Sequence, residues 1–230
     1  MDGTEDDVGY VARWFWTLDQ LSEAVGVAPE IILELIAAGC APGAIYVRTD
    51  GGAWWSALDR SPPPAGVVWY SKAAAWGLRR AVLRMRGGAS AAEAAQGERS
   101  AFIDDFVTAI GTTRSAELAF ANCFRDGMVD MPAASEQAQS EWQSWIRGGY
   151  GVCLHIFNAR TCVSKEALGA DLKRALAQGC GEASHLLRQA EELASLILPF
   201  APWQRPSGTP GRTIDRLLSE QHLGRELPYG

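Results

Sequence analysis

Thr17-Leu-Asp-Gln20-Leu-Ser-Glu-Ala-Val-Gly26-Val-Ala-Pro29-Glu-Ile-Ile-Leu-Glu-Leu-Ile-Ala-Ala-Gly39 is the stretch whose reading decides the fold. Thr17 and Gln20 have the spacing of a capping box, so a helix starts there and carries Leu21, Ala24 and Val25 inward. Gly26 permits a sharp turn. Pro29 then suits the first position of a second helix, because its missing N–H has no intrahelical acceptor there. Ile31, Ile32, Leu35 and Ile36 give that helix an apolar stripe, and Gly39 closes it. Two short helices about a glycine turn make a helix-turn-helix. A DNA reader needs Arg, Lys, Asn or Gln aimed at phosphates and base edges. Between Arg13 and Arg48 there is no basic residue, and Glu30 and Glu34 lie on the second helix. The stretch therefore reads as a fold without nucleic-acid binding.

Outward from it, Ile45-Tyr-Val47 and Val67-Val-Trp-Tyr70 are short β-prone runs. Between them Trp54 and Trp55 belong either to a wing or to a loop. The run from Leu18 to Tyr46 resembles the N-terminal part of MerR-type winged helix-turn-helix domains, in its two-helix phrasing followed by a Pro-Gly turn. After Ser71 every pattern is helical. A helix runs to about Arg86, and Ser90 with Glu93 caps the next, whose stripe is Phe102, Ile103, Phe106, Val107 and Ile110. Leu118, Phe120, Ala121 and Phe124 mark another, and Ser135 opens the one carrying Trp142 and Trp145. Leu168, Leu172 and Leu176 precede a stop at Gly179, and Leu186 to Ile197 form a broad stripe. Pro199-Phe-Ala-Pro202-Trp203-Gln-Arg-Pro206 is stiff and expected to be non-helical. A last helix runs from Arg212 to about Leu223. The expected fold is mainly α: a degenerate winged-helix-like module over residues 1–60, then a helical bundle over residues 61–230.

Composition narrows the function. The 230 residues carry a net charge of −6, which argues against bulk affinity for nucleic acid or an anionic membrane. No apolar run approaches membrane-spanning length. Met1 is followed by Asp2, Glu5, Asp6 and Asp7 rather than a basic leader, and the five cysteines are scattered and odd in number. A reduced, cytoplasmic setting is expected. Nine tryptophans call for a large core, an interface or a ligand pocket.

The densest chemistry lies in Trp142-Gln-Ser-Trp145-Ile-Arg-Gly-Gly-Tyr150-Gly-Val-Cys153-Leu-His155. Two tryptophans at i, i+3 share one helix face. The helix should fail at Gly148-Gly149. Cys153 follows that glycine turn, where backbone N–H groups face a developing oxyanion, and His155 or His185 is a base for its thiol. Equally, Cys153 is a small core residue and His155 a surface one. Cys153, His155, Cys162, Cys180 and His185 can each ligate zinc, but their spacing matches no zinc motif, and no metal is expected. Phosphate-binding glycine loops, Cys-x-x-Cys and Gly-x-Ser-x-Gly are absent, so no cofactor is expected either.

Trp142-x-x-Trp145, Tyr150-Gly-Val-Cys153-Leu, Lys165-Glu166 and Pro199-Phe-Ala-Pro202 with Arg205 resemble an uncharacterised actinobacterial family of natural-product biosynthesis proteins. That resemblance implies specialised metabolism without implying a reaction. The expected function is binding of a small, largely apolar substrate, as a cofactor-independent tailoring or cyclising enzyme. Trp142, Trp145, Tyr150, Trp203 and Arg205 would bind substrate, with the Pro199–Arg205 turn as a lid. Cys153, His155, Lys165 and Glu166 would act on it. The alternatives are a one-component regulator and a scaffold for a partner enzyme, and the expected protein partners are a second copy or a pathway protein.

Overall fold

The computed structural model describes residues 5–59, 61–179 and 182–220. It is mainly helical. In chain order the elements begin with α1 (Glu5–Trp14), β1 (Phe15–Trp16), α2 (Leu18–Val25), α3 (Pro29–Ala37), β2 (Tyr46–Arg48), β3 (Trp54–Ser56) and β4 (Val67–Ser71). They continue with α4 (Ala74–Arg86), α5 (Ala91–Thr112), α6 (Ala116–Ala119), β5 (Phe124–Arg125) and β6 (Met128–Val129). The last are α7 (Met131–Ile146), α8 (Gly149–Cys153), α9 (Ala159–Gln178), α10 (Ala183–Leu196) and α11 (Arg216–Glu220). Two compact units share them: Met1–Ile103 with Ser140–Phe157, and Asp104–Gln139 with Asn158–Gly230.

In the first unit α2 opens on the expected capping box. Gln20 N donates to Thr17 Oγ1 and Thr17 N to Gln20 Oε1, both at hydrogen-bond distance. Gly26 caps α2 at φ +79, and Pro29 sits at the start of α3. Four antiparallel strands follow the order β1-β4-β2-β3, with Val47 opposite both Val68 and Trp55. Trp54 and Trp55 thus belong to a strand and not to a loop. The two-residue β1 was not apparent from sequence, because Phe15-Trp16 has no room for an alternating pattern. Tyr46 and Phe15 are fully buried, with rings 4.7 Å apart edge to face. Ser90 and Glu93 cap α5 reciprocally, as their spacing demands.

In the second unit the helix expected around Leu118–Phe124 is broken. Only Ala116–Ala119 is α-helical, a 3-10 turn covers Ala121–Cys123, and Phe124 enters a hairpin with Val129. Asp126 and Gly127 form its two-residue loop, both with positive φ (52 and 76). A twisted hairpin favours that backbone, and Asp-Gly supplies it. Helix α7 starts at Met131 rather than Ser135, because the Asp130 carboxylate accepts from Ala133 N at 3.2 Å and caps the earlier turn. Helices α9 and α10 pair around Leu172, Ala190 and Leu193, all fully buried, with Gly179 ending α9 at φ +59. The final helical segment is a π-helical turn over Pro210–Asp215 continuing into α11, and Leu223 lies outside the described residues.

Candidate functional site

The residues expected to form a site divide between the units. Trp142, Trp145, Tyr150, Cys153 and His155 belong to the first; Lys165, Glu166, Trp203 and Arg205 belong to the second.

Helix α7 does place Trp142 and Trp145 on one face, and that face turns onto Phe157. The Trp145 and Phe157 rings stack 4.1 Å apart at 6°, and Phe102 stacks on Phe157 at 4.9 Å. Trp142 and Tyr150 complete a five-ring cluster, with centroids 6.0 and 5.7 Å from Phe157. Trp142, Trp145 and Tyr150 are buried, 5%, 2% and 6% exposed. Tyr150 Oη donates to Glu141 Oε2 at 2.6 Å, which satisfies its polar end. The glycines do not open space for a ligand. Gly148 has φ +89, and a Cβ there would lie 2.5 Å from Ala57 Cβ and 3.1 Å from Ile45 Cδ1. The chain does not stay irregular afterwards either: Gly149–Cys153 is α8, and Cys153 is buried. His155 packs edge to face on Trp14 at 5.4 Å. Phe157, the hub, carried no sequence signal beyond being aromatic.

In the second unit Lys165 Nζ pairs with Glu166 Oε1 at 2.6 Å. Arg205 grips Asp215 with two bonds, Nε–Oδ2 at 2.8 Å and Nη2–Oδ1 at 2.7 Å, and donates Nη1 to Pro199 O at 2.9 Å. This fork ties the ends of the proline-rich loop to the π-helical turn, a geometry that a bidentate guanidinium suits. The loop expected to be non-helical through Pro206 ends in a 3-10 turn over Arg205–Ser207, which Pro206 can join because a first-turn residue needs no N–H. Trp203 is half-buried. Cys162 is buried in α9, while His185 stands on α10; Cys180 lies outside the described residues. Among the described residues no three His, Cys, Asp or Glu side chains converge as metal ligands.

The second unit also holds a cleft of about 460 Å³, lined by polar and apolar side chains together. Helix α9 lines it with Ser164, Ala167, Leu168 and Asp171, and α10 with His185, Arg188, Gln189 and Glu192. Each set is spaced i, i+3, i+4, i+7, which is one helix face. The turn Thr113-Arg114-Ser115 closes the third side. Ser115 holds a left-handed backbone (φ 62), a conformation a non-glycine residue adopts at a cost. Asp171 anchors the cleft. Its Oδ2 accepts from Gln189 Nε2 at 2.7 Å and Ser115 Oγ at 3.5 Å, and its Oδ1 accepts from Arg174 at 2.8 Å. Arg114 and Arg188 have no hydrogen-bond or ion-pair partner among the described residues. Two exposed guanidinium groups therefore line the cleft with unused donors, beside Asp171, whose oxygens are occupied, and the exposed Glu192. In the sequence Leu168 reads as part of an apolar stripe with Leu172 and Leu176, and of the polar residues here only His185 stands out.

Residues 98–222 match the model of a family of unknown function, DUF6058. The chain belongs to this family. The matched span contains every residue of the cleft and of the Trp142–His155 stretch, and it leaves out the helix-turn-helix-like segment. No curated protein and no solved structure matches the chain.

Proposed function

We propose that the protein is a cytoplasmic small-molecule-binding protein of specialised metabolism, and that its ligand is a polar compound bearing an oxyanion. The observation that carries this reading is the pair Arg114 and Arg188 at the cleft beside the fixed Asp171. A volume of about 460 Å³ falls in the range of small-molecule sites, and guanidinium groups with unused donors suit a carboxylate or phosphate. This replaces the largely apolar substrate expected from the tryptophans, whose faces are taken by other rings. For a cofactor-independent tailoring or cyclising step, His185 is the imidazole that lines the cleft and the candidate general base. The resemblance to natural-product biosynthesis proteins supports the metabolic setting. No helix among the described residues is long and apolar enough to cross a membrane.

The regulator reading draws support from the helix pair α2–α3 with the β2–β3 hairpin, which has the order of a winged helix. It is the weaker one, because the outward face of α3 presents Glu30, Leu33, Glu34 and Ala37. Two carboxylates there would repel a phosphate backbone.

The test is to purify the protein from its own host, denature it and identify released compounds by mass spectrometry. A carboxylate- or phosphate-bearing compound should accompany the wild type and be lost from a folded Arg188→Glu variant. Release of an uncharged apolar compound, retention by the variant, or no released compound at all would count against the reading.

A further inference from the structure

The first unit carries two exposed helix stripes of opposite charge. On α3, Glu30, Leu33, Glu34 and Ala37 are spaced i, i+3, i+4, i+7 and all face solvent, Leu33 being 44% exposed. On α4, Trp76, Arg79, Leu83 and Arg86 occupy one stripe, with Trp76 49% and Leu83 63% exposed. Apolar side chains this open are unusual when they line up, because each leaves hydrocarbon in water. The charges flanking them are available. Glu30, Glu34 and Arg86 have no ion-pair partner among the described residues. Arg79 gives two guanidinium donors to Ala24 O, at 2.9 and 2.5 Å, which holds the charged head in place at an exposed position. Arg80 lies 4.5 Å over one face of the Trp76 ring and holds it in place.

We propose that these stripes are the two halves of a homodimer contact: α3 of one copy packs on α4 of its partner. Leu33 meets Trp76 and Leu83, while Glu30 and Glu34 meet Arg79 and Arg86. Helices α3 and α4 are neighbours within the unit, so a two-fold axis that makes this contact once makes it twice. The assembly closes as a dimer and does not grow into a filament. A second copy is the favoured occupant because the acidic stripe and the basic stripe answer one another in both charge and apolar content. The assignment is independent of the cleft.

Sedimentation equilibrium of the full chain provides the test, with circular dichroism to check each variant's fold. Wild type should be dimeric at micromolar concentration and dissociate more readily at high salt, where exposed charges are screened. Glu34→Arg alone places like charges across both contacts, and Arg86→Glu alone does the same. Each should weaken self-association by about tenfold or more. An equimolar mixture of the two variants brings Arg onto Glu at both contacts, so it should form a one-to-one dimer. A wild type that stays monomeric at about 100 μM, far above a micromolar dissociation constant, overturns the proposal. So does a dimer indifferent to either reversal, or a mixture that fails to associate.

Discussion

Phe157 shows how one side chain sets the character of its surroundings. Four aromatic rings contact it, two of them stacked, and the tryptophans that looked like pocket walls become its neighbours in the core. Trp145 is the more enclosed of the pair, 2% exposed and flat against Phe157. Replacing it with Ala removes its dispersion contacts and leaves a void that stacked rings cannot easily close. Trp145→Ala should cost about 3–5 kcal/mol. It should lower the melting temperature by roughly 10 °C, read by calorimetry. A loss within about 0.5 kcal/mol, the range of an ordinary surface change, would show the ring to be peripheral.

Among the elements, the local ones were the readable ones. Both capping boxes, Thr17 with Gln20 and Ser90 with Glu93, close within three residues and need nothing from the rest of the chain. The Glu93 carboxyl is even held below its usual range by the Ser90 backbone N–H and hydroxyl. Asp126-Gly127 was equally local. The hairpin was not expected, because Leu118, Phe120 and Phe124 imitate a helical period. The glycine pair after α7 was read correctly as a helix stop and wrongly as ligand space, since sequence does not reveal that Ala57 stands against it. Gly148→Ala combines a left-handed φ with a clash at Ala57, so it should destabilise by about 2–5 kcal/mol. Gly169 gives the control: it lies inside α9, and a Cβ there meets nothing within 4 Å. Gly169→Ala should stabilise by about 0.4–1 kcal/mol, and chemical denaturation of both variants checks the contrast in sign.

At the scale of the whole molecule, the mainly helical class followed from composition and period, while the cleft did not. Its walls are two mixed helix faces, and only the long-range packing of α9, α10 and the Ser115 turn makes a concavity of them. Global stability should also depend on pH at the alkaline end. Burial pushes the Cys40 thiol from its ordinary 9.0 up to about 12, with Glu98 adding to the effect. Tyr46 is likewise raised well above 10.0, by burial and by its hydrogen bond with Tyr10. Acids raised on folding favour the folded state fully below their unfolded values, and that contribution is lost as pH rises toward the folded ones. Cys40 therefore acts between pH 9.0 and about 12. Lys72, lowered by burial, works in the opposite sense. The unfolding free energy from urea titration should fall over this range, with a slope of up to about 1.4 kcal/mol per pH unit from Cys40. Cys40→Ala should remove that part; an unchanged slope in the variant would contradict the assignment.

Cys40 and Cys153 lie in the first unit and Cys123 and Cys162 in the second, all four buried. A maleimide in solution reaches a buried thiol only while the surrounding structure is transiently open. The chain thus comes with a pair of internal clocks in each unit. In a Cys180→Ser background, which removes the remaining thiol, mass spectrometry of the labelled peptides would time the breathing of the aromatic half and of the cleft-bearing half separately. A ligand that seats between α9 and α10 would slow the Cys162 clock and leave that of Cys40 running at its own rate.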